Sequence, residues 1–130
     1  MMLDRLNPGP RMSEAVAVGD IVFLAGQIQT TLEGDMAVQT AEVLTGIDAV
    51  MAELGGSKAD IASVQVWLSD MADFPGMNAV WDAWIDRKHP PARATCGVTL
   101  ARPGTRVEMI AIARRPGTGA WASWPPCFSI

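Results

Sequence analysis

The amino-acid sequence predicts an α+β fold in which one mixed β-sheet carries two helices on one face. Strand-like and helix-like segments follow one another in the order β-β-α-β-α-β-β, and a hairpin is expected at each end. The length of 130 residues suits one domain with a single core. Because two helices cannot cover both faces of a sheet, we expect a sandwich with one sheet face left open.

The N-terminal part of this pattern contains the first hairpin. Residues 1–12 are polar and turn-prone, and we expect a loop there. Residues 13–18 alternate enough to form a strand, and a tight Gly-Asp turn leads into the strongly apolar strand 21–26. A loop over residues 27–34 then precedes the first helix.

Both helices are predicted from apolar residues at helical spacing. Asp35 is suited to cap a long helix that ends at Leu54, because the Gly55-Gly56 pair follows. The second helix is predicted over residues 73–88, and the sequence His89-Pro90-Pro91 ends it.

The remaining strands are expected around and after the second helix. Residues 61–68 alternate clearly and predict a strand. Residues 91–100 and 106–113 are interpreted as a closing β-hairpin turned by residues 102–105.

The chain divides by composition into one domain over residues 1–115 and an irregular C-terminal extension over residues 116–130. Proline and glycine argue against a regular element in the extension, whereas its tryptophans and phenylalanine argue against a merely solvated tail. Packing over a neighbouring subunit and disorder are both open for it.

The predicted sheet has more apolar surface than two helices can cover. Strand segments 21–24 and 109–112 are apolar on both sides. The open face is therefore expected to bury itself against other copies of the chain, and we expect a homo-oligomer.

Composition and charge exclude several functional classes. The net charge of −4 argues against a nucleic-acid-binding surface, which requires clustered Lys and Arg. We expect no secretory signal, because no apolar segment follows the first residues, and no apolar run approaches the roughly 20 residues that span a bilayer. Cys96 and Cys127 have no motif spacing and His89 stands alone, so neither a disulfide framework nor a metal site is indicated. A reduced, cytoplasmic setting is the simplest interpretation.

Two charged residues in the expected closing hairpin are the candidates for chemistry. Arg93 follows a Pro-Pro pair and suits a bidentate clamp for a carboxylate. Glu108 lies in an apolar strand, where an ionised carboxylate needs a partner or a role. Two alternatives stay open: Arg93 as an ion-pair partner of Glu108, and Glu108 as a solvent-facing residue of an edge strand. The two side chains could lie on the same face or on opposite faces of this hairpin, because a shift of one residue in the strand register moves a side chain to the other face.

Six pieces of sequence form a recognisable series along the chain. They are Val22-Phe23-Leu24-Ala25-Gly26-Gln27, the helix with Gln39 and Leu44, Val66-Trp67-Leu68-Ser69-Asp70-Met71-Ala72-Asp73-Phe74, Met77-Asn78-Ala79-Val80-Trp81, Pro91-Ala92-Arg93 and Arg106-Val107-Glu108. No single piece is specific, but together, in this order and over residues 11–115, they resemble the reactive intermediate deaminase family, also called the Rid or YjgF family.

This resemblance implies a chorismate-mutase-like protomer in a homotrimer with a barrel-like core and three clefts between subunits. It also implies an enamine/imine deaminase, a hydrolase that converts reactive imines into a 2-oxo acid and ammonia, in metabolite damage control. No cofactor or metal is implied. The expected partners are the small-molecule substrate and other copies of the chain, and neither nucleic acid nor membrane.

The resemblance also assigns roles to residues. Arg93 matches the arginine that holds the substrate carboxylate, and Glu108 the acidic residue associated with the attacking water. Asn78 matches a position close to the cleft, and Gly26 a place where a backbone group faces the ligand. By itself, Asn78 could equally be an ordinary polar residue near the start of a helix.

The sequence departs from the family pattern at three places. There is no Tyr in the first segment, and Ala25 stands where Ser is common. Thr95 stands two positions after Arg93, where deaminases often have Cys. Thr95 and Cys96 are both candidate substrate-binding residues; by themselves, Thr95 is interpreted as a strand residue whose hydroxyl could hold the water, and Cys96 as a small buried residue pointing to the other face of the strand.

A rival interpretation from another class is a non-catalytic trimeric module that binds 2-oxo acids or similar small carboxylates. Arg93 alone would suffice for that role, and the three departures favour it. Glu108 favours the enzyme, because an anion binder has no use for a second negative charge near its ligand. Ribonuclease activity or translational inhibition, both also ascribed to the family, is disfavoured by the acidic composition.

Overall fold

A computed structural model describes residues 2–31 and 34–116 of the chain. Its elements, in chain order, are β1 (Leu3–Leu6), β2 (Ala15–Val18), β3 (Ile21–Leu24), α1 (Met36–Glu53), β4 (Ile61–Leu68), α2 (Phe74–Trp84), β5 (Ala92–Gly97) and β6 (Val107–Arg114). Single turns of 3₁₀ helix precede β4 and α2. Apart from Pro116, the predicted C-terminal extension lies outside the described residues.

The described strands form one six-stranded sheet in the order β1-β2-β3-β6-β4-β5. Only β4 and β5 run parallel, and every other neighbouring pair is antiparallel. The predicted α+β architecture, with one mixed sheet and two helices, is confirmed.

The predicted closing hairpin is wrong, because β4 lies between β5 and β6. Strand β4 has eight residues, and its apolar residues Val64, Val66 and Leu68 are fully buried, as suits a strand with a neighbour on each side. Helix α2 connects β4 to β5 and returns the chain for a parallel pairing, as crossover helices do. The chain then passes over the end of β4 before β6 begins.

The predicted N-terminal loop is wrong in part, because residues 3–6 form β1. This strand pairs antiparallel with β2, with Leu3 opposite Val18. Asp4 within it is buried and its carboxylate accepts a hydrogen bond from Arg115, at the other end of the chain, at 2.5 Å. That partner stabilises a short polar strand that local sequence alone does not favour.

The first helix ends as predicted, whereas the second is shorter than predicted. The Asp35 carboxylate accepts a hydrogen bond from Val38 N at 2.9 Å, and Leu54 is the C-cap of α1. Helix α2 ends at Trp84 instead of residue 88, because Ile85 is extended. The Asp86 carboxylate accepts a hydrogen bond from Lys88 N at 3.0 Å, a local turn that competes with the helix.

The two faces of the sheet differ in what covers them. Alternate residues of β6, such as Val107 and Met109, are buried on the face that carries α1 and α2, here called the helix-side face. On the other face, here called the open face, Ile21 and Phe23 remain 47% and 44% exposed in the described part of the chain. The predicted open apolar face is therefore present.

Candidate active site

Arg93 lies on the helix-side face of β5, at the edge of the sheet. Its register partner is Val64, which is fully buried under the helices, and register partners point to the same face. The guanidinium carbon lies 5.0 Å from the ring centroid of Trp81 and 5.9 Å from that of Phe74. The two rings are seven residues apart, so they share one face of α2.

The aromatic contacts hold the guanidinium without using its hydrogen-bond donors. A cation over an aromatic face is attracted by the ring quadrupole, and the effect is strongest for Trp. Among the described residues, no carboxylate lies within 4.0 Å of Arg93. The structure therefore excludes, within one subunit, the alternative in which Arg93 is an ion-pair partner of Glu108.

Two buried oxygen atoms belong to the same region as Arg93. Asn78 lies on α2 between Phe74 and Trp81, and Thr95 points to the same face of β5 as Arg93 because it is two residues further on. Neither Asn78 Oδ1 nor Thr95 Oγ1 has a hydrogen-bond partner within the described residues. A buried oxygen without a partner costs roughly 1–3 kcal/mol, so these atoms invite a functional explanation.

Glu108 lies on the open face, at the middle of the sheet. Its register partner is Trp67 of β4, and β6 has β3 on its other side, so Glu108 is not in an edge strand. That alternative from the sequence is wrong. Burial raises the pKa of the Glu108 carboxyl above its ordinary value, because desolvation disfavours the charged form.

Gly26 lies against the Glu108 carboxylate. The chain after β3 is bound to β6 by two backbone hydrogen bonds, Gln27 N to Met109 O at 2.8 Å and Met109 N to Gln27 O at 3.1 Å. A Cβ atom at Gly26 would collide with Glu108 Oε2. Glycine at this position therefore lets the backbone approach the carboxylate closely.

Within one subunit, the sheet separates Arg93 from Glu108. Val64, opposite Arg93, and Trp67, opposite Glu108, are three residues apart on β4, and an odd spacing along a strand means opposite faces. The sequence identified both residues but assumed that they share a hairpin. We call Arg93, Thr95, Asn78, Phe74 and Trp81 the arginine half-site, and Glu108 with Gly26 the glutamate half-site.

Cys96 belongs to neither half-site. It pairs with Trp67 and so points to the open face, as predicted, away from Arg93 and Thr95. The expectation that Cys96 is buried is wrong, because its edge strand leaves it exposed. It lies two strands from Glu108, roughly 10 Å at ordinary strand spacing.

Two residues that sequence reasoning did not single out are Phe74 and Trp81, apolar residues of the second helix whose rings lie near the Arg93 guanidinium. Trp81 is buried, but its ring is also the nearer support of the guanidinium. Their spacing with Asn78, at i, i+4 and i+7, was the available signal. This spacing on the helix points to Arg93 only because β5 packs beside α2, which the sequence does not reveal.

The described residues contain neither a metal-binding cluster nor a membrane-spanning helix. No group of three or more His, Cys, Asp or Glu side chains suited to a metal ion occurs among residues 2–31 and 34–116. In those same segments no helix is both long enough and apolar enough to cross a membrane.

Comparison with known proteins identifies the family. The family model described as Endoribonuclease L-PSP matches residues 2–115. A RutC family protein of Haemophilus influenzae is 39% identical over 114 residues, covering 87% of this chain and 98% of the relative. The chain belongs to the YjgF/RutC family. The RutC family protein YoaB of Escherichia coli is 34% identical, covering 87% of this chain and 98% of its own.

The shape of a YjgF-family structure agrees with this assignment. A YjgF family member from Neisseria meningitidis has a TM-score of 0.86 and 39% identity, with 91% of this chain and 98% of that chain covered. The family resemblance predicted from the sequence is confirmed, and the match extends over both half-sites of this YjgF/RutC chain.

Proposed function

We propose that the chain is a cytoplasmic enamine and imine deaminase that forms 2-oxo acids and ammonia in clefts between the subunits of a homotrimer. The observation that carries this proposal is the Arg93 guanidinium, which lies against Trp81 and has no carboxylate partner among the described residues. An arginine held in this way suits the carboxylate of an imino acid.

In the proposed reaction, Arg93 binds the substrate carboxylate through two parallel hydrogen bonds and so fixes the adjacent imine carbon. An enamine first tautomerises to the imine. Water then adds to the carbon of the C=N bond: one water proton passes to Glu108, and Glu108 returns it to the nitrogen as the π bond opens, which gives a neutral carbinolamine. The carbinolamine loses ammonia as its hydroxyl becomes the new carbonyl, and the 2-oxo acid remains.

The properties of Glu108 support its role in moving that proton. Its raised pKa brings the carboxyl closer to neutrality, where a group can both accept and return a proton. General acid–base catalysis by one positioned side chain contributes roughly 10²–10⁴-fold. That is enough for an imine, which already hydrolyses in water.

The separation of the half-sites supports a cleft between subunits. Since the sheet lies between Arg93 and Glu108, one subunit cannot present both to one small substrate. A second copy that covers the open apolar face, with Ile21 and Phe23, brings its own arginine half-site within reach of Glu108.

The non-catalytic carboxylate-binding module remains the second candidate. Thr95 favours it, because the position offers a hydroxyl where deaminases often have a thiol. Glu108 opposes it, because a desolvated carboxylate beside an anionic ligand weakens binding. The family description names an endoribonuclease, but the net charge of −4 does not suit an RNA-binding surface.

The proposal is tested first by a coupled assay on the purified chain. An amino-acid oxidase generates imines from a panel of amino acids, and semicarbazide traps whatever is not hydrolysed. We expect faster imine loss with the wild-type chain and no acceleration with Arg93→Ala. The matched control is Arg5→Ala, an exposed arginine on β1 far from both half-sites. No acceleration with any imine would favour the binding module.

The between-subunit cleft has its own test. Arg93→Ala and Glu108→Gln chains carrying different tags are co-expressed, and mixed trimers are purified. Every mixed trimer, whichever variant supplies two of its copies, has one cleft in about three with both residues intact, so activity should return although each parent is inactive. Mixed trimers as inactive as their parents would place both residues in one subunit. Light scattering should give three times 13.9 kDa.

A further inference from the structure

A cavity of about 340 Å³ lies at the end of the sheet where the parallel strands β4 and β5 finish. It is lined by residues that follow the two strands and by the connection to β6, among them Ser69, Thr99, Arg102, Gly104, Thr105 and Arg106. A volume near the lower limit for small-molecule pockets suits a small ligand.

The wall of this cavity is fixed from behind by two buried glutamines. Gln39 of α1 donates from Nε2 to Gly104 O at 3.0 Å and accepts from Arg106 N at Oε1 at 2.7 Å. Gln29 Nε2 donates to Thr105 Oγ1 at 3.2 Å. Both glutamines are 1% exposed, so these hydrogen bonds hold the loop in a low-dielectric interior.

Several side chains that line the cavity have hydrogen-bond donors that no described group uses. In the described part of the chain, the Arg102 guanidinium and the Ser69 and Thr99 hydroxyls have no hydrogen-bond or ion-pair partner. Thr105 receives its bond from Gln29, which leaves its own hydroxyl proton free to donate.

The charge of the cavity is positive. Of the described residues, two arginines, Arg102 and Arg106, line it together with no acidic residue, and Arg106 alone is paired with a carboxylate, that of Asp73 at 3.5 Å from its Nη1. That ion pair is long and partly exposed, so it neutralises Arg106 only weakly. An anion in this cavity would accept hydrogen bonds from the guanidinium groups of Arg102 and Arg106 and from the serine and threonine hydroxyls.

We infer that this cavity binds a small oxyanion, the phosphate or carboxylate group of a metabolite, through Arg102 and Arg106. It is separate from Arg93 of the same subunit. Arg93 is opposite Val64, and Ser69 is five residues further along the chain, which corresponds to roughly 16 Å of strand. The inference does not depend on the deaminase activity.

The experiment is a titration of the full-length chain with inorganic phosphate, and separately with acetate, followed by backbone amide NMR signals. We expect saturable shifts at Gly104, Arg106 and Thr99, with Gly19 unmoved. Arg102→Gln should weaken phosphate binding about tenfold or more, as expected for a lost charge-assisted hydrogen bond. Phosphate alone causing shifts would identify the ligand group as phosphate, and acetate alone as carboxylate.

Two controls separate this site from others. Arg5→Gln removes the same charge elsewhere and should leave the phosphate affinity unchanged, and Arg93→Ala should do the same. Arg106→Gln is a second variant in case Arg102→Gln fails to fold. Shifts that do not saturate, or an affinity equal in wild type, Arg102→Gln and Arg106→Gln, would overturn the inference.

Discussion

The two half-sites are built in opposite ways. The arginine half-site lies at the edge of the sheet, on a strand placed by a parallel crossover, and its charged group is exposed and supported by aromatic rings. The glutamate half-site lies in the centre of the sheet, on an antiparallel strand, and its charged group is half-buried against a glycine backbone.

This difference shows that one sheet can give two charged groups opposite environments. The exposed guanidinium beside aromatic rings is accessible to an anion from solution, whereas burial raises the pKa of the Glu108 carboxyl, as suits proton transfer. In the proposed trimer, the two environments would meet in the clefts between subunits.

The largest effect is expected from Arg93→Ala. Loss of two charge-assisted hydrogen bonds to the substrate carboxylate should lower kcat/KM by about 10³–10⁴-fold. Because the side chain is exposed, the trimer and its melting temperature should change little. The measurement is the coupled imine assay together with light scattering. An Arg93→Ala chain as active as wild type would remove the arginine half-site from the mechanism.

Glu108→Gln should affect turnover and leave binding nearly intact. We expect kcat to fall by about 10²–10³-fold, while the affinity for a 2-oxo acid, measured by calorimetry, stays within a fewfold of wild type. Equal losses in affinity and turnover would instead assign Glu108 to ligand binding.

The pH dependence of kcat in the wild-type and Glu108→Gln chains tests the direction of the Glu108 pKa shift. Burial raises the pKa of Glu108, and only the ionised carboxylate accepts a proton, so wild-type kcat should fall as the pH drops through that raised pKa. The Glu108→Gln chain should lack this decline. Ionisation of a desolvated carboxyl also opposes folding, so at neutral pH the variant should be at least as stable as wild type.

The elements that the sequence predicted well are those specified by neighbouring residues. Helix α1 carries its cap at Asp35, and β4 alternates between buried and more exposed residues from Val64 to Leu68. The hairpin prediction failed because strand pairing is decided by partners distant in sequence. Strand β1 was missed for the same reason, since the partner of Asp4 is Arg115.

In the candidate site, too, the identity of residues could be predicted from the sequence, whereas their arrangement depends on contacts distant in sequence. Residue chemistry and family resemblance predicted Arg93 and Glu108 as the charged pair, and their catalytic roles stay a prediction. Their placement on opposite faces depends on β4 lying between β5 and β6, which no local pattern encodes. The aromatic support of Arg93 likewise depends on how α2 packs beside β5.

A smaller effect, confined to the glutamate half-site, is expected from Gly26→Ala. The backbone at Gly26 does not have a positive φ, so alanine is tolerated there and acts only by displacing the Glu108 carboxylate. We expect kcat to fall about tenfold with the affinity for a 2-oxo acid retained, because a displacement of about 1 Å in a catalytic group is costly.

The matched control for that substitution is Gly76→Ala in α2. A Cβ atom there meets only Met36 Cγ at 3.5 Å, an ordinary contact, and alanine is the better helix former. This variant should keep full activity and gain about 0.5–1 kcal/mol in the free energy of unfolding, measured by urea denaturation. Equal loss of activity in both variants would show that Gly26→Ala acts through folding.

The smallest effect is expected from Thr95→Val, and its sign distinguishes the two explanations of the buried hydroxyl. Thr95 Oγ1 has no partner in the described part of the chain, so an isosteric apolar residue should stabilise the protein by up to about 1 kcal/mol. If the hydroxyl contacts the water or substrate in the cleft, the same variant should lose a fewfold in kcat, and Thr95→Ser should keep it. Higher stability with lower activity identifies a polar atom kept for function at a cost in folding. Lower stability with unchanged activity would instead make the hydroxyl structural, and the arginine half-site would then act through Arg93 and its neighbours on α2.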